Sequence, residues 1–170
     1  MTRTDHKSRQ FSTLTAGFIP RHLPVELRGR VVAEGFKFWS GKCQPDRLPS
    51  RADFTPAELG NLLPQVVLLD VLREPWDFRF RLIGTGVVLH LSADWTGMRM
   101  TEIPHMCPPS KIFSNCHEVA LTAEPVHSQT PYVGPHREFL RADDVILPLA
   151  KDGKTPDMLL VFVEYLAKEH

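Results

Sequence analysis

Eight histidines and three cysteines are the residues of this chain with the widest chemical range. His90, His105 and His117 fall in a stretch of short helical fragments, where a histidine beside an apolar slot could ligate a haem iron. His90 lies between Leu89 and Leu91, and Met106 and Cys107 supply second donors nearby. No Cys-x-x-Cys-His attachment signal accompanies them, so haem is not the favoured reading. His6, His22, His127, His136 and His170 fall in an arm, an edge strand, a turn or the tail, where a solvated imidazole is expected. No Cys or His pair has the spacing and partners of a zinc site, so no metal is assigned. Cys43, Cys107 and Cys116 cannot all pair with one another, which suits thiols in a reducing cytoplasm.

Other constellations are equally sparse. Cys116 and His117 as nucleophile and base fail on geometry, because adjacent helical residues point about 100° apart. Gly84-Thr-Gly starts like a dinucleotide fingerprint but lacks the third glycine and a parallel βαβ unit, so it reads as a backbone turn. Arg79 and Arg81, with Arg137 and Arg141, could grip a carboxylate or phosphate, although a solvated strand face is the simpler expectation. Neither Gly-x-Ser-x-Gly, His-Glu-x-x-His nor a P-loop is present. The expectation is a non-enzymatic protein with no catalytic residues.

The elements that would position these residues are legible in the apolar pattern. The 170 residues suffice for one domain and an arm, and 42% apolar with 24% charged residues is an ordinary globular composition. A formal net charge of zero argues against nucleic acid or an anionic membrane as partner. No apolar run approaches the roughly 20 residues that cross a bilayer. Polar Thr2–Gln10 offers no export signal core, so a cytoplasmic protein is expected.

Residues 1–22 read as a flexible arm, 23–42 as an amphipathic helix and 43–170 as the folded domain. In the helix, Leu27, Val31 and Phe38, with Val32, Phe36 and Trp39, make an unusually broad apolar stripe. Either it covers the chain's own core, or part of it forms a homodimer through those residues. Thr55-Pro-Ala-Glu is a helix start with a capping box. Five strands follow: Gln65–Leu72, Phe78–Leu82, Pro125–Val133, Arg137–Leu149 and Pro156–Leu166. The first and last are apolar on both faces and so central, and the polar third lies at an edge. The order 2-1-5-4-3 satisfies this in an α+β domain with helices on one face. A helical insert, ending in a helix over 110–122, covers that face and encloses a small cavity.

Leu48-Pro-Ser-Arg-Ala-Asp-Phe-Thr-Pro-Ala-Glu-Leu, Leu63-Pro-Gln-Val-Val-Leu-Leu-Asp-Val, Phe78-Arg-Phe-Arg-Leu-Ile-Gly-Thr, Asp94-Trp-Thr-Gly and Ile146-Leu-Pro-Leu-Ala-Lys-Asp-Gly carry a family resemblance. Spread over roughly residues 24–166, they resemble a bacterial PAS-domain family of short, mostly stand-alone PAS-fold proteins. The resemblance implies a sensory or protein-interaction module without established enzymatic activity. It also implies a site between sheet and helices for haem, flavin or an organic acid, or a module that binds nothing and dimerises. No kinase, cyclase or DNA-binding segment is attached, so an unidentified signalling protein is the expected output. Asn115-Cys-His is similar to part of the photoreactive segment of flavin photosensors, but Glu118 and Val119 depart from that motif. A buried structural Cys116 is the expectation.

On this reading the cavity is lined by Leu82, Val87, His90, Leu91, Trp95, Met98, Met100, Ile103, Phe113, Cys116, His117, Leu147 and Val161. The function expected is recognition of a small ligand, a partner protein, or both. A ligand-free interaction module is the alternative and an enzyme the remote one.

Overall fold

The computed structural model describes residues 29–132, 134–136 and 138–168. The arm, Leu27, Val133, Arg137, His6, His22 and His170 lie outside the described residues. The first helix, α1, runs Arg30–Lys42, and a single turn, α2, covers Pro56–Leu59. Strands β1 (Val66–Leu72) and β2 (Asp77–Ile83) form the first hairpin. An insert follows, holding α3 (Thr85–Val88), a turn at Met100–Glu102 and α4 (Lys111–Thr122). Strands β3 (Val126–Pro131), β4 (Phe139–Leu149) and β5 (Met158–Ala167) complete the chain. The antiparallel sheet has the order β2-β1-β5-β4-β3, as the burial pattern of the strands requires.

Local signals explain several boundaries. Thr55 accepts from the Glu58 amide while the Glu58 carboxylate accepts from the Thr55 amide at 3.0 Å, the capping box read from the sequence. The Ser110 hydroxyl caps α4 by accepting from the Phe113 amide, and Ala123 closes the helix in the left-handed region. Gly84, which begins α3, approaches the backbone so closely that a Cβ there would lie 2.3 Å from the Pro64 carbonyl oxygen. The Gly84-Thr-Gly turn is therefore a packing device between β2 and the loop before β1.

The sheet is covered on both faces, each by its own apolar layer. On one side Val32, Phe36 and Trp39 of α1 pack with Val66, Leu68, Val145, Leu147, Leu149, Leu160 and Phe162. On the other side the insert buries Val67, Leu69, Phe78, Phe80, Ile146, Leu159 and Val161 with Met100, Ile103, Cys116 and Val119. The helix is thus part of the domain, and the boundary expected after residue 42 does not separate two bodies. Val32, Phe36 and Trp39 have no exposed surface, and the Trp39 indole donates to the Pro148 carbonyl at 3.0 Å. These three side chains serve the chain's own core, so a dimer using them must exchange α1 between copies. Val31 and Phe38 are partly buried against the same layer.

The insert is tied to the sheet at the start of β2. Buried Asp77 accepts from the Phe78 amide at 2.8 Å and from the Thr101 hydroxyl at 2.6 Å. Thr101→Val leaves that carboxylate oxygen unpartnered, with an expected loss of about 1.5–3 kcal/mol. The urea midpoint measures it, and an unchanged midpoint means the tie contributes nothing.

Candidate functional site

The site is a cavity between the insert and the sheet. Its floor is built by alternation: Val67 and Leu69 of β1, and Val161, Val163 and Tyr165 of β5, all point to the insert face. Phe80 and Ile83 of β2 continue the floor, Val87, His90 and Leu91 close one side, and Trp95, Met100, His105 and Met106 form the roof. Tyr132, Ala142 and Asp144 complete the far end, near Lys111 of α4. The volume is about 360 Å³, within the range of small-molecule sites.

Trp95 is positioned by the Asp94-Trp-Thr-Gly segment. Asp94 Oδ1 accepts from the Thr96 amide at 3.0 Å and its hydroxyl at 2.7 Å, which folds the turn. The Gly97 amide donates to the Phe80 carbonyl, and the Phe80 amide donates to the Met98 carbonyl, so the segment pairs with β2. Trp95 is thereby set against Phe80 and His105.

Four of the polar residues of the cavity, Asp144, Tyr165, His90 and Tyr132, lie together. Asp144 is nearly fully buried, and the Ser128 hydroxyl donates to its Oδ1 at 2.9 Å. Oδ2 has no hydrogen-bond partner among the described residues. Burial pushes its pKa up to about 7, against the Ser128 hydrogen bond and the attraction of His127 and Lys111, with Asp143 adding to the rise. Burial likewise raises the Tyr165 phenol, helped by Tyr132 and Asp144. The His90 ring lies parallel to that of Tyr165 with centroids 4.0 Å apart. His90 Nδ1–H donates to the Gly86 carbonyl at 2.7 Å, which leaves Nε2 as the nitrogen not held by the backbone. The Tyr132 hydroxyl donates to the His90 carbonyl at 2.8 Å.

Of the residues expected from the sequence, Val87, His90, Leu91, Trp95, Met100 and Val161 line this cavity. Leu82 and Leu147 belong to the opposite face, against the α1 layer. The cause for Leu82 is a bulge. Leu68 pairs with Leu82 but Leu69 pairs with Phe80, so Arg81 is the extra residue and the alternation after it reverses. Leu147 pairs with Leu160, whereas its neighbour Ile146 pairs with Val161 and shares the cavity face. Ile103, Phe113 and Cys116 pack in the layer beneath the insert without reaching the wall. Met98 is exposed, and His117 sits edge-on against Trp76, with ring centroids 4.7 Å apart.

Residues missed from the sequence include Tyr132, Tyr165 and Asp144. A signal existed for the last: Asp143-Asp144 abuts the apolar run from Val145 to Leu149, and a charge next to it must have a reason. The two point to opposite faces. Asp143, fully buried, bonds His127 at 2.7 Å, and on β5 it stands opposite Glu164, whose carboxylate accepts from the Val31 amide at the start of α1. His127 is therefore a partner of a buried carboxylate, not the solvated imidazole expected. His136 similarly donates Nε2–H to the Leu89 carbonyl at 2.8 Å.

The residues do not suit a flavin bound through a cysteine. A flavin–thiol adduct needs a cysteine on the wall; Cys116 is fully buried off it, and burial raises its thiol pKa well above the usual value. Of the three histidines considered for a haem iron, His90 and His105 line the cavity, His90 with Nδ1 held by the Gly86 carbonyl, and His117 lies away from it against Trp76. Among the described residues no group of three or more His, Cys, Asp or Glu could hold a metal ion. The arginines do not converge: Arg79 and Arg81 are on β2, Arg141 is on β4, and two strands lie between. Arg81 pairs instead with Asp70 at 3.4 Å.

A mixed-length antiparallel sheet of order 2-1-5-4-3, with an insert after the first hairpin enclosing an apolar cavity, defines a PAS-type fold. A family model described as a PAS domain matches residues 28–163, and the chain belongs to that family. Among solved structures, a fungal LOV domain photoreceptor is 21% identical, with a TM-score of 0.44, over 64% of this chain and 79% of that one. No curated protein matches the chain.

Proposed function

We propose that this PAS domain is a cytoplasmic sensory module that takes a small ligand into the cavity and reports its occupancy to a partner signalling protein. The observation that carries the reading is the cavity itself. Its walls come from β1, β2, β5 and the insert, and Asp144, Tyr165 and His90 line it together. Apolar residues facing open space forgo contacts that a guest would supply. A guest that touches both Trp95 and Val161 favours the packing of the insert that accommodates it. Among the described residues no helix is long and apolar enough to cross a membrane, which accords with a module that works in solution.

Native mass spectrometry of freshly purified protein, followed by a screen of small apolar compounds by methyl chemical shifts, tests the reading. The expected result is a retained mass or shifts confined to Val67, Val87, Val161 and Val163. Val161→Phe directs its added bulk into the open volume and is expected to weaken binding at least tenfold while the fold persists. The absence of both a retained mass and localised shifts would overturn the reading.

A further inference from the structure

We propose that the cavity selects a flat nitrogen heteroaromatic whose N–H donates to Asp144 Oδ2, with its ring seated between the β1–β5 floor and Trp95. The inference rests on the cavity being a ligand site, and it adds the chemistry of the ligand. Three features of the structure support it.

First, Asp144 is nearly fully buried, lines the cavity, and spends only Oδ1 on Ser128. Unlike Asp143 Oδ2, Asp144 Oδ2 is not sealed off, so the donor it lacks can reach it from the cavity. Second, the groups around that oxygen favour a donor over an anion. Tyr165 Oη, Tyr132 Oη and Ser128 Oγ are uncharged, and Asp143 adds negative charge from the other face of β4. The attracting groups are His127 and Lys111, but His127 is already bound to Asp143 at 2.7 Å and the Lys111 ammonium donates to the Gln129 carbonyl at 3.1 Å in an exposed position. Third, most of the remaining wall is apolar and aromatic, with His105, Ser92, Ser110 and Thr130 as polar members. Val67, Leu69 and Val161 form the floor, and the parallel His90–Tyr165 pair stands near Asp144. Such a slot accepts a planar ring with little loss of conformational entropy. A carboxylate ligand would bring its charge against Asp144, and a purely apolar one would leave Oδ2 unpaired.

Calorimetric titration with indole, its isostere indene, 2-aminobenzimidazole and indole-3-carboxylate reads this directly. On the unmodified protein at pH 7.5 the expected order is 2-aminobenzimidazole and indole above indene by roughly tenfold to a hundredfold, since a hydrogen bond to a charged group contributes that much. Indole-3-carboxylate is expected to bind no better than indene. Asp144→Leu is expected to bring indole and indene to equal affinity. Equal affinities for indole and indene on the unmodified protein, or preferred binding of the carboxylate, would overturn the N–H assignment and leave the cavity reading standing. An indole preference surviving in Asp144→Leu also overturns it. No binding of any probe would remove the ligand site and the inference together.

Discussion

Gly35→Ala is expected to cost about 3 kcal/mol, although alanine is the better helix former by about 1 kcal/mol. The reason is the distance between α1 and β5. A Cβ at position 35 would lie 2.3 Å from Cγ of Phe162 and 2.4 Å from Cδ2, where real contacts do not occur. Phe162 is fully buried among Val32, Phe36, Val66 and Val145, so its ring has no free volume to move into. The helix must lift instead, loosening Trp39 from the Pro148 carbonyl. Urea unfolding followed by tryptophan fluorescence measures the loss, and the melting temperature is expected to fall by about 6–12 °C. Phe162→Leu in the alanine background should restore part of it, giving a double variant less destabilised than the two single changes added together. A Gly35→Ala protein as stable as its parent would mean that α1 does not seat on β5 this way.

That contact also shows what the sequence withholds. The apolar stripe of α1 was legible as a stripe, but periodicity alone does not say what covers it. Gly35 lies between Glu34 and Phe36, and on a helix facing a sheet a glycine marks the point of closest approach. The strand order was readable because β1 and β5 are apolar on both faces and β3 is polar, so burial alone ranks them from centre to edge. The ends of elements with side-chain caps, such as α2 and α4, were readable for an equally local reason.

The cavity was legible in part on the insert and in part on the strands. Val87, His90, Leu91, Trp95 and Met100 of the insert reach it, whereas Ile103, Phe113 and Cys116 pack beneath the insert, Met98 is exposed and His117 rests on Trp76, since apolar character alone does not separate a wall residue from a packed one. Leu82 misses it because one extra residue at Arg81 turns the strand over, and no residue type near Arg81 announces a bulge. Leu147 misses it because β4 is apolar on both faces there, and only the pairing with β5 decides that Ile146 faces the insert. Asp144 was passed over among the twenty acidic residues, yet the burial it undergoes follows from the same alternation that places Ile146.

Asp144 makes the stability of the domain fall as pH rises from about 4 to about 7. In the unfolded chain its carboxyl titrates at the ordinary value of 3.8, whereas burial in the fold pushes it up to about 7. Between those values the unfolded chain releases the proton while the folded chain keeps it, so each rise in pH favours unfolding. Below pH 4 both states hold the proton and the penalty vanishes; above pH 7 both are ionised and it is complete, at up to about 4 kcal/mol. Asp144→Asn keeps an oxygen for the Ser128 hydroxyl and has no charge to bury. The variant is therefore expected to match its parent near pH 4 and to exceed it by several kcal/mol at pH 8, measured by urea unfolding across that range. Glu164, also raised by burial, contributes a slope of the same sign in both proteins and cancels in the difference. Exposed Asp94 and Asp152, whose pKa values are lowered by hydrogen bonds to Thr96 and to the Lys154 and Thr155 amides, act in the acid range and also cancel. Parallel pH profiles for the two proteins would show that Asp144 is solvated in the fold, and with it would go the unpartnered oxygen on which the selection of an N–H ligand depends.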